Sequence, residues 1–288
     1  IMDKNGFQAK FWHEKNSLRF IDCIETLPNY SGFKENLNLT YAVRDGIVCH
    51  CGEVNENYIK PRNEFVDLNE IEKGKYMPYT YEGCVVKISD KIAYLGRDIE
   101  DAYNYKFFDK EDMMPLPPLA QEVMKKKIKF KDVNTSSLIH EFIINLCKNS
   151  NPESGLTFSS EHYDMMNKIK KFNYKKIYSN PRFQPFMKYA ELVINAIFDF
   201  LLGYYDKYNT LYRLSKYSRF YPTATIDFSD WLIKYSNIDE KSHRLRKYRN
   251  QIIYNIEDIM DYKQAIIDYI SGMSDNYAIK VYNELIEF

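Results

Sequence analysis

The sequence predicts an all-α protein, and three observations lead to this. Apolar residues recur at intervals of three and four in segment after segment, which is the period of a helix with one buried face. No segment shows the strong alternation of a strand, and there is no internal repeat or low-complexity tract. At 288 residues and 45% hydrophobic, the chain can bury one large core or two modest ones.

The composition excludes several function classes. Forty basic residues balance forty acidic ones, so no global field attracts nucleic acid or an anionic membrane, and any phosphate site must be local. Five cysteines without a CxxC pair indicate reduced thiols in the cytoplasm. No apolar run approaches about 18 residues, and no signal peptide is recognisable. The chain lacks GxxxxGK, GxSxG and HExxH motifs, which argues against P-loop, serine-hydrolase and zincin chemistry.

The N-terminal part contains two predicted helices. The first, Phe11–Leu27, has an apolar stripe that leaves His13 and Glu14 accessible on other faces. An imidazole beside a carboxylate can serve a phosphate as hydrogen-bond or proton donor, although a surface helix explains the pair equally well. The second helix is Leu37–His50, and its adjacent Cys and His residues do not have the spacing of a structural zinc site. Because the chain opens on Ile1, we expect it to be a piece of a longer protein.

The central helix, Gly83–Ala102, is the most informative stretch. Its apolar stripe comprises Val85, Ile88, Ile92, Leu95, Ile99 and Ala102. Another face carries Lys87, Asp90, Lys91, Tyr94 and Asp98, and Thr80 is the expected N-cap. Carboxylates suit a hard cation, lysines a phosphate, and an acceptor oxygen a sugar hydroxyl, so this face suits a nucleoside triphosphate with its metal. The alternative is a solvated face held by pairs such as Arg97 with Asp101.

The second half is predicted to be helical with a few loops. The predicted helices are Leu119–Lys126, Ser136–Lys148, a helix capped by Ser159 or Ser160 that runs to Tyr178, Pro185–Tyr208, Asp227–Ser236, His243–Ile270 and Ser274–Glu287. Ser215–Phe228 is predicted to be mostly loop because it holds Pro222. Lys170, Tyr174 and Tyr178 lie four apart. Basic and aromatic groups in this order suit a triphosphate and a base or sugar, and a solvated face explains them equally well.

Three segments carry a resemblance to a known family. PYTYEGCVVKISDKIAYLGRDIEDA, Pro78–Ala102, resembles the last metal-ligand helix of the HD-domain deoxynucleoside triphosphate triphosphohydrolases. FWHEKNSLR, Phe11–Arg19, is similar to that family's His-Asn-Glu-Gln-Ser-Leu-Arg helix, although three of its residues differ. MNKIKKFNYKKIY, Met166–Tyr178, resembles the family's later Met-x-x-Leu-Lys-x-Phe helix. The spacing inside each segment is kept.

The resemblance implies an architecture and a reaction. Residues 1–130 would be the C-terminal part of an HD-type helical bundle, and residues 131–288 a helical C-terminal domain. The parent enzyme would hydrolyse a deoxynucleoside triphosphate to deoxynucleoside and tripolyphosphate. The implied roles are Asp90 as metal ligand, Lys91 at the phosphates, Tyr94 at the deoxyribose, Asp98 at the 3′-hydroxyl, His13 with Glu14 at the scissile phosphate, and Lys170, Tyr174 and Tyr178 completing the pocket.

The family's remaining metal ligands, a histidine and a His-Asp pair, have no counterpart among the five histidines. By the family's motif order they would precede Ile1. We therefore expect a divalent ion (Mg, Mn, Fe, Co or Ni) in the intact parent, and no metal at Asp90 or activity in this chain alone. The expected protein is cytoplasmic and homo-oligomeric. Alternatives are a non-catalytic nucleotide-binding, regulatory or scaffolding protein, and a helical interaction protein with solvated faces.

Overall fold

A computed structural model describes residues 1–7, 10–51, 57–116, 118, 121, 135–239 and 244–287. In chain order the helices are α1 (His13–Arg19), α2 (Tyr41–Cys49), α3 (Tyr81–Asn104), α4 (Lys110–Met113), α5 (Thr135–Asn149), α6 (Ser160–Asn173), α7 (Phe183–Leu202), α8 (Thr210–Tyr217), α9 (Pro222–Tyr235), α10 (Arg244–Lys247), α11 (Ile259–Ser271) and α12 (Asp275–Ile286). Helices make up most of the described residues, which confirms the predicted all-α class.

The remaining regular structure is minor. Strands β1 (Thr26–Pro28) and β2 (Lys34–Asn36) form an antiparallel hairpin, and β3 (Tyr58–Ile59) pairs antiparallel with β4 (Leu156–Thr157). Two π-helical turns continue helices, Phe20–Ile24 after α1 and Tyr174–Tyr178 after α6. No helix within the described ranges combines the length and hydropathy needed to cross a bilayer.

Contacts divide the chain into two compact units. The terminal unit joins Ile1–Leu39 with Pro185–Phe288, and the middle unit is Thr40–Gln184. This grouping brings both chain ends into one unit, whereas the sequence suggested a division near residue 130. That boundary lies outside the described residues and stays a prediction. The helix predicted at residues 119–126 also lies outside them, apart from position 121.

The middle unit is organised around α3. The Thr80 side chain accepts a hydrogen bond from the Gly83 N–H at 3.1 Å, which satisfies a donor of the first turn and confirms the predicted cap. The predicted stripe is buried from Ile88 to Ala102 and packs against the core shared with α5 and α6, but Val85 is exposed. α3 and α5 meet closely, since a Cβ on Gly96 would lie 2.7 Å from the Thr135 Cα.

The terminal unit buries an aromatic core between α7, α9 and α11, with α8 and α12 packed against it. α1 is tied to α11 by Arg19, whose Nε donates to Asp268 Oδ2 at 2.9 Å. Asp268 is fully buried and also accepts a 2.6 Å hydrogen bond from the Tyr254 hydroxyl. This buried carboxylate therefore fixes the N-terminal helix to the C-terminal region.

Two predicted elements in this unit are wrong. Ser215–Phe228 is largely helical, because Pro222 is the first residue of α9, where a missing N–H costs nothing and the fixed φ suits a helix. The long helix predicted at His243–Ile270 is interrupted between α10 and α11. In the interruption Tyr254 forms an isolated bridge with Ser236, and Asp258 caps α11 by accepting from the Met260 N–H. His243 lies outside the described residues.

Candidate functional site

The predicted site residues of α3 lie on successive turns of one side. Asp90 is exposed, whereas Lys91, Tyr94 and Asp98 are partly buried. Tyr94 also packs against the core of the middle unit. α6 and its π-helical extension run beside α3, so residues about 80 positions later in the chain lie next to this face.

Two lysines from different helices line one cleft of the middle unit. Lys91 of α3 and Lys170 of α6 border it, above a floor that includes Ile88 and Met166. The cleft encloses about 350 Å³, counting the space open to solvent. Two lysines beside apolar side chains favour an anion, because apolar surroundings lower the local dielectric and the described lining of the cleft includes no Asp or Glu.

The second pairing joins Asp98 with Tyr178. The Tyr178 hydroxyl donates a hydrogen bond to Asp98 Oδ2. Tyr174 and Tyr178 are both exposed, and their rings meet edge to face with centroids 5.6 Å apart. The structure thus places Lys91 and Lys170 on one cleft and Asp98 in contact with Tyr178, although each pair is far apart in sequence.

A π-helical turn accounts for the position of Tyr178. The Ser179 N–H donates to the Tyr174 carbonyl five residues back, so this turn holds one residue more than an α-helical turn. Directly before it, the buried Asn173 side chain donates to the Leu95 carbonyl of α3 at 3.1 Å. Lys170, Tyr174 and Tyr178 therefore do not follow the single α-helical line that their four-residue spacing suggested.

Lys87 is not part of the open face, which corrects the prediction. It is fully buried, and its Nζ donates to the carbonyls of Cys49, His50 and Cys51 at 3.1, 3.4 and 3.0 Å. These carbonyls belong to the end of α2, where a cation is stabilised by the unpaired oxygens and the helix dipole. Lys87 therefore fixes the chain that follows α2.

The residues around Asp90 do not by themselves make a metal site. The thiol of Cys51 lies 4.0 Å from Asp90 Oδ2. Among the residues that the structure describes, Asp90 belongs to no group of three or more His, Cys, Asp or Glu side chains with converging ligand atoms. One carboxylate beside a protonatable thiol is too small a donor set to retain a transition metal.

His13 and Glu14 belong to the terminal unit. His13 is largely exposed, whereas Glu14 is fully buried, which corrects the prediction that both are accessible. His13 Nδ1 lies 3.0 Å from Glu14 Oε2, but the contact lacks hydrogen-bond geometry, and both Glu14 oxygens are buried without a hydrogen-bond partner among the described residues. The Arg19–Asp268 pair at the other end of α1 anchors this helix.

The sequence interpretation missed a histidine network in the middle unit. His162 is buried, with Nε2 2.9 Å from Glu141 Oε1 and Nδ1 2.9 Å from both Asn145 Nδ2 and Ser159 Oγ. The available signal was the spacing of Glu141 and Asn145, one turn apart on α5, which places both side chains on one face. The network ties the start of α6, and hence the helix of Lys170, to α5.

Burial also changes the pKa of two thiols of the middle unit. It raises the pKa of both Cys49 and Cys84 to about 11, because the thiolate would lose its hydration. Both groups are therefore protonated at neutral pH, which makes them poor nucleophiles and poor metal ligands.

Comparisons with known proteins agree with the resemblance found in the sequence. A family model described as a phosphohydrolase-associated domain matches residues 235–284. Curated relatives named deoxyguanosinetriphosphate triphosphohydrolase-like protein include that of Rickettsia prowazekii, 25% identical over 96% of this chain and 67% of the relative. The Rickettsia bellii protein is 25% identical over 99% of this chain and 69% of its own length.

The Rickettsia rickettsii protein is 26% identical over 99% of this chain and 68% of the relative. The chain thus spans about two thirds of the length of these curated relatives. The relatives and the domain match together confirm the predicted resemblance: the chain is related to the HD-domain deoxynucleoside triphosphate triphosphohydrolase family.

Proposed function

We propose that this chain is part of a metal-dependent HD-type phosphohydrolase that converts deoxynucleoside triphosphates to deoxynucleosides and tripolyphosphate. The relatives' names support the reaction class. The observation that carries the proposal is the convergence of Lys91 with Lys170 and of Asp98 with Tyr178 on adjoining turns of two helices. These are the residue types that a phosphate chain and a sugar hydroxyl require.

Each residue has a proposed role. Lys91 and Lys170 hold the phosphates as paired cations. Tyr94 lies against the deoxyribose, where its ring leaves no room for a 2′-hydroxyl and so favours deoxynucleotides. Asp98 accepts the 3′-hydroxyl through Oδ1 while Oδ2 accepts from Tyr178. Tyr174 offers an exposed ring for stacking.

The remaining roles concern the reaction centre. His13, with Glu14 beside it, is proposed to act at the scissile phosphate as a hydrogen-bond or proton donor. Asp90 is proposed as one ligand of a divalent ion (Mg, Mn, Fe, Co or Ni) in the intact parent, an ion that supplies activated water in such enzymes. Since Asp90 has no converging ligand group among the described residues, we propose that the 288-residue chain alone is inactive.

The test compares two aspartates of α3. Calorimetric titration of the chain with dGTP should give a dissociation constant that Asp98→Ala raises about 10-fold or more, the cost of losing a hydrogen bond to a charged group. Asp101→Ala is the matched control, because Asp101 is exposed and pairs with Arg97 at 3.0 Å. It should change the affinity less than about two-fold.

Two results would count against this assignment. Equal affinity of the Asp98→Ala and unmodified chains would remove the sugar-binding role. Release of deoxyguanosine by the purified chain would contradict its proposed inactivity, and circular dichroism of both variants controls for misfolding.

A non-catalytic nucleotide-binding or regulatory protein is the second candidate. Among the described residues Asp90 belongs to no group of three or more converging metal-ligand side chains, which favours it. The two candidates differ in the coding sequence upstream of Ile1, where an in-frame His-Asp dipeptide indicates the enzyme and its absence a binding or scaffolding protein. Nucleotide binding by the chain is expected of both, so failure to bind any deoxynucleotide would leave a helical interaction protein with solvated faces.

We also propose that the protein is cytoplasmic and homo-oligomeric. The five cysteines are free, which suits a reducing compartment. α7 exposes Phe186, Met187 and Leu192 along its length, and large exposed apolar side chains on one helix are typical of a subunit contact.

A further inference from the structure

Three lysines of the terminal unit lie near one another where α9 ends. Lys234 is in the last turn of α9, Lys34 is in β2, and Lys247 ends α10. Their segments are joined, because Lys34 and Tyr248 form an isolated parallel bridge and the Arg249 N–H donates to the Lys34 carbonyl at 2.8 Å. We name Lys34, Lys234 and Lys247 the lysine cluster.

The ammonium group of Lys234 lies against aromatic rings. Its Nζ is 4.7 Å from the centre of the Tyr235 ring and 5.8 Å from that of Tyr248. Lys247 Nζ is 5.4 Å from the same Tyr248 ring, so one phenol borders two members of the cluster. Lys234 is half-buried, and the ion pairs found among the described residues do not include it. A ring face attracts a cation but carries no net charge to balance it.

Buried side chains fix the backbone of Lys234. Its carbonyl accepts hydrogen bonds from Arg244 Nε at 3.3 Å and from Asn250 Nδ2 at 3.1 Å, and both donors belong to buried residues. The end of α9 is therefore held against the chain that contains Lys247 and Tyr248. The cluster is thus part of the folded core edge rather than a chance meeting of mobile surface lysines.

These surroundings favour the uncharged amine of Lys234. Burial and the nearby charge of Lys34 lower its pKa to about 8, with a contribution from Lys247 and with the Glu25 carboxylate opposing them. At pH 8 roughly half of Lys234 is then an uncharged amine, compared with under about 1% of an exposed lysine. Nucleophilicity falls with basicity, with a coefficient of about 0.4–0.5 for thiols, so the net gain in reactivity is about 10-fold.

We propose that Lys234 is a modification site that is acylated by acyl phosphates, compounds in which a carboxyl group is joined to phosphate. The uncharged amine attacks the acyl carbon, and the N–C bond forms as the C–O bond to phosphate breaks. The phosphate leaves with the electron pair of that bond and takes the surplus proton from the nitrogen. The product is an amide, which removes one positive charge from the cluster.

The charges beside Lys234 select this class of electrophile. Lys34 and Lys247 attract the phosphate group of the reagent while the neighbouring amine attacks its acyl carbon. A neutral anhydride can react with the same amine, but the two cations do not attract it. The lysine cluster therefore distinguishes an anionic acyl donor from a neutral one.

Acetyl phosphate is the probe, and mass spectrometry of peptides from the whole chain measures the acetylation rate at each lysine. At pH 8 we expect Lys234 to react about five-fold or more faster than Lys188 of α7 and Lys168 of α6, which are both exposed. Between pH 7 and 9 the rate at Lys234 should rise about 10-fold, whereas the rates at the two exposed lysines should rise about 100-fold.

A charge variant tests the attraction of the phosphate. At pH 9, where most of Lys234 is uncharged, Lys247→Gln should lower its rate with acetyl phosphate about three-fold and its rate with acetic anhydride less than about 1.5-fold. Lys34→Gln should act in the same direction. Lys280→Gln removes an exposed lysine of α12 and is the matched control, which should change neither rate. Circular dichroism checks the fold of each variant.

Three results would overturn the proposal. The first is a rate at Lys234 no higher than at Lys188, and the second is a rise of about 100-fold at Lys234 between pH 7 and 9. The third is an equal loss of rate with both reagents in Lys247→Gln. None of these residues belongs to the proposed triphosphate site, and the acetylation is measured without a nucleotide.

Discussion

The two compact units differ in what they bury. The described core of the middle unit consists of aliphatic, phenylalanine, methionine and cysteine side chains, with tyrosines only at its partly buried edge. The terminal unit buries Tyr235, Tyr254 and Tyr262 almost completely in its core. Each of these hydroxyls has an acceptor: the Ile24 carbonyl, the Asp268 carboxylate and the Leu201 carbonyl.

Buried polar groups accordingly have different structural roles in the two units. In the terminal unit, tyrosine hydroxyls connect core helices to backbone carbonyls or to Asp268, so they stabilise the packing itself. In the middle unit, the buried charged groups fix chain segments that lead to α3: Lys87 binds the end of α2, and Asp45 holds Arg62 and the Tyr79 N–H. In the unit with the candidate site, the buried charges therefore position the backbone next to that site.

The largest expected difference between the two units is in their stability at alkaline pH. Burial raises the pKa of Tyr235, Tyr254, Tyr262 and Tyr269, and with the nearby Asp227 it raises that of Tyr277 to about 12. The folded state binds these protons more tightly, so the stabilisation is complete below the unfolded pKa of about 10 and is lost above it. Above that pH, each of these tyrosines lowers the free energy of unfolding by up to about 1.4 kcal/mol per pH unit.

Tyrosine absorbance and far-ultraviolet circular dichroism, followed together from neutral to alkaline pH, measure this loss. We expect a group of tyrosines that ionises only as helix content falls. Tyr235→Phe keeps the ring but removes one ionisable hydroxyl, so it should shift the midpoint upward in pH after correction for its stability at neutral pH. Smooth ionisation of all tyrosines with the helix content intact would contradict the difference between the cores.

The ion pairs offer a second, smaller contrast. Asp268→Ala should lower the free energy of unfolding of the terminal unit by about 3–5 kcal/mol, because the Arg19 guanidinium loses its buried partner. Arg97→Ala in the middle unit breaks an exposed pair and should cost no more than about 0.5 kcal/mol. Chemical denaturation of both variants measures the two values, and similar costs would show that burial does not separate these pairs.

Lys87→Met tests a buried charge of the middle unit and should cost less than Asp268→Ala. It keeps the volume of the side chain but leaves three carbonyls without their donor, at a cost of about 1–3 kcal/mol. Lys168→Met, at an exposed position of α6, is the control and should be nearly neutral. Thermal unfolding measures the Tm of both variants. An unchanged Tm for Lys87→Met would mean that the end of α2 does not depend on this ammonium group.

The helices were predictable where the local pattern determined the outcome. The stripe from Ile88 to Ala102 and the cap at Thr80 follow from spacing and side-chain chemistry alone, and both are found. Lys87 was misplaced because a periodic pattern assigns a lysine to solvent, whereas the carbonyls that stabilise it come from α2. The interruption between α10 and α11 escaped prediction for the same reason, since its hydrogen bonds run to α9 and to β2.

The candidate site was predictable in its residue types but not in its pairings. Lys91, Asp98, Lys170 and Tyr178 were chosen from two separate helices, yet only tertiary packing decides which lysine faces which. The burial of Glu14 depends on packing that a heptad-like pattern does not contain. His162 is not part of a recognisable motif. Its partners lie on α5, about 20 residues earlier, so its sequence neighbours give no sign of the network.

The wide turn at Tyr174–Tyr178 makes chain length, rather than residue identity, the property that matters there. Deleting one residue between Asn173 and Tyr178 would restore ordinary helical winding and rotate the phenol by about 100° away from Asp98. Lys170, Tyr174 and Tyr178 could then all be retained while the contact between Asp98 and Tyr178 is lost. Evolution can thus detach or reattach this contact by a single codon gained or lost, a route that substitution alone does not provide.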